Sequence, residues 1–139
     1  MRATVRALST MLCYCWLLSA TAGAPDGDPV RGEQVYQRCL ACHALDYNRT
    51  GPRHCGLLGR KAGIVPDFSY SEAMRRSGIV WTPDTLDAFL SAPTRYVEGT
   101  SMGYAGIDDP QARDDLIAFL IQASQDSALC HSTATGAQP

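Results

Sequence analysis

Cys39-Leu40-Ala41-Cys42-His43 is the stretch on which the reading of this chain turns. The C-x-x-C-H spacing puts two thiols on one helical turn and an imidazole directly after them. Two thiols so placed add across the two vinyl groups of a haem as thioethers, and the next residue projects its imidazole toward the iron. Cys39, Cys42 and His43 are therefore expected to hold one covalent c-type haem and supply its proximal ligand. A thioredoxin-like redox pair needs a preceding strand and a βαβ setting, and neither is visible. Half of a zinc site needs a second ligand pair, which the remaining His54, Cys55, Cys130 and His131 do not supply by spacing.

The N-terminus agrees with that chemistry, because c-type attachment takes place outside the cytoplasm. Arg2 and Arg6 precede an apolar stretch over 7–18, and Ser19-Ala20-Thr21-Ala22 follows. A positive start, an apolar middle and a small-residue end describe a secretory signal peptide, with 1–22 cleaved and Gly23 the new first residue. A spanning helix would need about 20 apolar residues, so a membrane anchor is not expected. Cleavage removes Cys13 and Cys15 and leaves four cysteines of six. It also leaves ten Lys and Arg against fourteen Asp and Glu, a net charge of about −4. The only lysine is Lys61. No dense basic run suggests nucleic acid, and no second apolar stretch suggests stable membrane insertion.

The length, 139 residues, predicts one domain over 23–139, with its core at about 29–124 and an extension over 125–139. Asp28-Pro29 starts a short helix running to about Cys39, with Val35 and Tyr36 on its inner side. From 43 to 68 the punctuation by Gly and Pro predicts an ordered loop. Ser69-Tyr70-Ser71-Glu72 reads as a capping box before a short helix that stops near Gly78. Thr82-Pro83 starts another, with Leu86, Phe89 and Leu90 as its buried stripe and Pro93 ending it. A second loop covers 94–108. Asp109-Pro110 starts the last helix, whose buried face is Leu116, Phe119, Leu120 and Ala123. Alternating strand patterns and internal repeats are absent, so the fold class is all-α. Large apolar residues are few and the loops are long, and loops of this length in a compact domain serve a function. A haem wrapped by both loops would supply the missing core.

A thioether on the sixth iron position would raise the reduction potential and close the site. Cleavage leaves Met74 and Met102. Met74 sits in a predicted helix, where a buried Met is usually packing. Met102 sits in Gly99-Thr100-Ser101-Met102-Gly103-Tyr104, which has no other reason to hold an apolar side chain. Spacing alone leaves both open, and context favours Met102.

With these motifs in order, the chain resembles a class I (mono-haem) cytochrome c of the bacterial periplasmic type, related to cytochrome c2 and mitochondrial cytochrome c. The likeness runs from Gly32 to about Ser124. It rests on Gly32-Glu33-Gln34-Val35-Tyr36 before the haem motif, Thr50-Gly51-Pro52 and Gly56-Leu57-Leu58-Gly59-Arg60-Lys61 after it, Phe68-Ser69-Tyr70-Ser71 and Gly78-Ile79-Val80-Trp81 in the middle, and Gly99-Thr100-Ser101-Met102 with Tyr104-Ala105-Gly106-Ile107 in the second loop. The resemblance implies that His43 and Met102 are the axial pair. It implies that the Pro52 carbonyl accepts from the His43 ring, that Arg60, Tyr70 and Trp81 serve a haem propionate, and that Thr100 steadies the Met loop. It implies that Gly32 and Tyr36 meet the last helix near Phe119. It also brings the proximal loop near the end of that helix, which makes a Cys55–Cys130 disulfide the expectation. His54 and His131 are expected at the solvent surface.

The resemblance implies a periplasmic one-electron carrier, monomeric, without substrate chemistry of its own, meeting a donor and an acceptor redox enzyme. The alternative is a haem subunit of a periplasmic dehydrogenase or oxidase complex. A peroxidase-like enzyme would need an open iron position, which Met102 argues against. Three departures stand out. Phe89 replaces a Tyr that relatives use to bond the Met sulfur, and Met74 replaces a polar Asn near buried water, so the distal side is drier. The lysine ring of mitochondrial relatives is mostly missing, and Asp108-Asp109 lies where lysines would be.

Overall fold

A computed structural model describes residues 27–130. The expected export signal over 1–22 and its cleavage point lie outside the described residues, as does His131. Helix α1 (Pro29–Tyr36) begins where expected: the Asp28 side chain accepts from the Val30 N–H, and Pro29 fills the first turn. It stops short of Cys39. Beyond Tyr36 the backbone changes from i−4 to i−3 bonds, Arg38 N–H to the Val35 carbonyl and Cys39 N–H to the Tyr36 carbonyl. That tightening carries the haem motif on turns instead of on the helix itself.

Helix α2 (Glu72–Arg76) is capped by Ser71, which accepts from the Met74 N–H. The capping box expected from Ser69 does not form; Glu72 pairs with Arg75 and Arg76 instead. Helix α3 (Pro83–Ser91) has a capping box between Thr82 and Thr85, and buries Leu86, Phe89 and Leu90. Pro93 ends α3 and also opens α4 (Pro93–Tyr96), inside a stretch expected as loop. A proline at a first helical position has its φ already set and lacks only an N–H that would go unused, so it can stop one helix and start the next. Helix α5 (Pro110–Gln125) starts at its Asp109 cap and buries Leu116, Ile117, Leu120 and Ala123. Ile117 takes the core place expected of Phe119, which is only partly buried. Helix α6 (Ser127–Cys130) lies in the segment read as extension. It brings Cys130 to Cys55, with Cα atoms 5.5 Å apart and sulfurs 2.06 Å apart. Among the described residues the only strand-like pairing is one antiparallel bridge, Lys61 to Val80.

The crossing of α1 and α5 sets where the haem motif emerges. A Cβ on Gly32 would strike the Asp115 carbonyl and come within 2.7 Å of the Phe119 Cβ, so only glycine permits this approach. The Tyr36 and Phe119 rings meet one turn along, 5.1 Å apart. Buried Asp115 locks the same crossing. It accepts from Arg31 Nε at 2.7 Å and Nη2 at 2.9 Å, from the Asp28 N–H at 2.7 Å and from Gln111 at 3.0 Å. The Arg31 guanidinium, helped by the Asp28 N–H, holds this carboxyl well below the usual carboxylate range. A depressed folded pKa contributes stability that is complete above the ordinary Asp value of about 3.9 and is lost as pH falls through the folded value. Asp115→Asn is accordingly expected to melt below the parent at pH 7. The gap should close on acidification below about pH 4, read from thermal midpoints across pH. A gap constant with pH would show that the carboxylate charge is not what holds the crossing.

Candidate functional site

The two loops and the inner faces of α1, α3 and α5 enclose a cavity of about 500 Å³. Cys39, Cys42, His43, Pro52, Arg60, Tyr70, Trp81, Thr100 and Met102 all line it, although they come from separate stretches of chain. Its floor includes the core residues Leu57, Leu86, Phe89 and Leu116.

His43 is buried, and its Nδ1 lies 2.8 Å from the Pro52 carbonyl oxygen. A carbonyl only accepts, so Nδ1 carries the proton and Nε2 keeps its lone pair. Burial lowers the His43 pKa, and the Pro52 bond opposes that shift. The ring is neutral at pH 7, the form that ligates a metal. Gly51 abuts the same ring, where any Cβ would collide with it. Cys39 and Cys42 are free of disulfides; Cys42 is exposed, and burial pushes the Cys39 thiol up to about 11.

On the other loop, the Thr100 Oγ1 accepts from the Met102 N–H at 3.2 Å, and the Thr100 N–H donates to the Val97 carbonyl at 3.0 Å. Met102 is partly buried at the cavity wall. Met74 also lines the cavity but belongs to the buried core, as its place in α2 predicts. Arg60 donates from Nη1 to the Cys55 carbonyl at 2.8 Å and from Nη2 to the Arg53 carbonyl at 3.0 Å. Its guanidinium is thereby pinned at the cavity wall with further N–H groups to spare. Burial raises the Tyr70 phenol pKa and the Arg60 charge opposes it. Trp81 is buried against Phe89, rings 5.1 Å apart.

The donor set fits a haem: two thiols at the rim, a neutral imidazole with one lone pair free, a thioether wall, and apolar surroundings with an arginine and a phenol at one side. The residues expected here are gathered into one place, apart from Cys55 and Cys130, which meet each other outside the cavity. His54 departs from expectation. It is only partly exposed and lies in the cavity wall, its ring 4.4 Å from that of His43 and nearly parallel. The cause is the loop itself: the turn that aims the Pro52 carbonyl at His43 carries His54 in with it. Its place two residues after Pro52 is the one sign of this in the sequence.

No family model matches the sequence. Individual proteins do. Over 100 residues the chain is 48% identical to a cytochrome c2 of Rhodopila globiformis, covering 70% of this chain and 94% of that protein. A cytochrome c type-1 of Ascaris suum is 44% identical over 99 residues, covering 69% of this chain and 88% of the other. Among solved structures, cytochrome cH from Methylobacterium extorquens superposes with a TM-score of 0.68 at 38% identity, over 69% of this chain and 99% of that one.

Proposed function

The chain belongs to the class I cytochrome c family, all-α electron carriers with one covalently bound c-type haem, and we propose that it serves in the periplasm as a one-electron shuttle between a donor and an acceptor redox enzyme. The observation that carries this reading is the convergence of Cys39, Cys42, His43 and Met102 on one cavity. The haem supplies a one-electron Fe(III)/Fe(II) couple. Cys39 and Cys42 would hold it through thioethers to its vinyl groups. His43 would ligate the iron through Nε2, with Pro52 fixing the ring and its basicity. Met102, steadied by Thr100, would offer its soft sulfur to the iron, which would raise the potential. Arg60, Tyr70 and Trp81 serve a propionate, which would otherwise be costly to bury. With His43 and Met102 both engaged on the iron, the haem would offer no open site to a substrate and would serve for electron transfer.

Residues 1–22 act as the export signal and are removed, leaving a monomeric carrier without stable membrane insertion. No helix among the described residues is long and apolar enough to cross a membrane. In an oxidising compartment Cys55 and Cys130 form a disulfide. It closes a loop of 75 residues, worth at most about 4.5 kcal/mol, and less because the thioethers already restrict the unfolded chain. Non-reducing peptide mapping of the exported protein should find these two cysteines linked; two alkylatable thiols would refute the bridge.

The partner-facing surface is argued from charge. Lys61 is the single lysine, and exposed Asp108 and Asp109 follow the Met loop. Arg38 and Arg53 keep some positive charge beside the haem motif and proximal loop. The haem edge is thus mixed in sign, and docking relies mainly on apolar contact. Steered association speeds up at low salt and slows as salt rises. This protein's oxidation by its partner should vary little with ionic strength, and a mitochondrial-type oxidase should turn it over poorly. Second-order rates across ionic strength test both; a steep fall with salt overturns the docking mode, and a holoprotein that cannot cycle reversibly between two redox states overturns the carrier role.

A further inference from the structure

His54 stands inside the proximal wall with no part in haem attachment. Its ring plane is 20° from that of His43 at 4.4 Å between centroids. Its Nδ1 is 3.0 Å from the Tyr36 hydroxyl. Its backbone N–H donates to the Ala44 and Leu45 carbonyls, immediately after His43 in the chain. The same short segment therefore supplies the acceptor for the His43 ring, through Pro52, and an aromatic plane laid against it, through His54. Tyr36 in turn is clamped by Phe119 of α5.

An imidazole is a costly choice for a partly buried wall. An aliphatic side chain of similar bulk would pack there with no polar atom to satisfy, and a buried polar group without a partner costs about 1–3 kcal/mol. Here the Tyr36 hydroxyl partners one ring nitrogen, Nδ1, so the sequence keeps a hydrogen-bonded polar pair next to the proximal ligand.

The Pro52 bond alone fixes the direction of the His43 Nδ1–H but leaves the ring free to rock about that line. A parallel ring at stacking distance limits the rocking. We propose that His54 is a positioning residue for the proximal ligand: stacked on His43 and anchored by the Tyr36 hydroxyl, it sets the plane and the electron density of the imidazole that binds the iron. The inference rests on His43 being that ligand. Ferric iron draws more density from the imidazole than ferrous iron does, and a polarisable aromatic face stabilises the electron-poor ring better than an alkyl group. His54 thus favours the oxidised state and lowers the potential. Leucine in its place would also make the surroundings more apolar, which disfavours the extra ferric charge in the same direction.

The test uses the holoprotein with His54→Leu, Tyr36→Phe and both together. The paramagnetic shifts of the haem methyl groups in the ferric protein report the imidazole plane, and a redox titration reports the potential. Each single variant should reorder or displace the methyl shifts and raise the potential. The double variant should go no further than His54→Leu, because Tyr36 acts only through His54. Methyl shifts and potential unchanged, with only the melting temperature lowered, would make Tyr36 and His54 a packing pair and overturn the proposal. If His54→Leu does not fold, unchanged shifts and potential in Tyr36→Phe overturn it equally. His43→Gly separates the premise: loss of the low-spin holoprotein supports His43 as ligand, whereas a persisting low-spin spectrum overturns the ligand reading itself, whatever His54 does.

Discussion

Replacing Cys39 and Cys42 together by alanine is expected to abolish covalent haem and with it the folded protein. The parent should exceed its polypeptide mass by one haem and keep its colour through acid-acetone extraction; the double variant should have the bare mass and lose colour. The structural consequence is larger than the loss of two bonds. A cavity of about 500 Å³ lies between the loops and the core. At roughly 24 cal/mol per Å³, leaving such a volume unfilled costs up to about 12 kcal/mol, an upper bound because this cavity opens to solvent. Whole domains are stable by only about 5–15 kcal/mol. The doubly substituted chain should therefore lose its cooperative thermal transition, while each single variant, still joined by one thioether, keeps a weakened one. A double variant that melts like the parent would show that the core does not depend on the haem.

Met102→Ala is expected to have the second largest effect. Removing the sulfur loses the weak charge-transfer band at the red edge of the ferric spectrum, which marks an iron–thioether bond. It opens an iron position, so cyanide and carbon monoxide bind readily. The potential should fall by a sizeable part of the roughly 0.8 V over which axial ligands set haem potentials. Met74→Leu should keep the band, because Met74 is packed in the core cluster at α2. The reverse pattern, band lost in Met74→Leu and kept in Met102→Ala, would assign the ligand to Met74.

Much of this protein is legible in short spans of sequence, because the causes are local. Asp28, Thr82 and Asp109 cap helices through bonds to residues two or three positions on. The stripe Leu86, Phe89 and Leu90 buries together because helical spacing puts the three on one face. The C-x-x-C-H run declares the haem because its chemistry is contained in five consecutive residues. Where local signals compete, the sequence is ambiguous: Ser69 and Ser71 both precede α2, and Ser71 is the one that caps it. Pro93 both stops α3 and starts α4 for the same backbone reason.

What the spacing of residues determined by itself is therefore most of the helix set, the haem motif and the class of core. What only the tertiary structure decided depends on chain segments meeting across the fold: Arg31 with Asp115, Cys55 with Cys130, and His54 with both His43 and Tyr36. A polar residue reads as exposed until its partner is known, since isolated burial is unfavourable and only a satisfied bond makes it tolerable. Asp115 is buried, and His54 is held in the cavity wall, because Arg31 and Tyr36 reach them, and no pattern confined to their own neighbourhood contains that information.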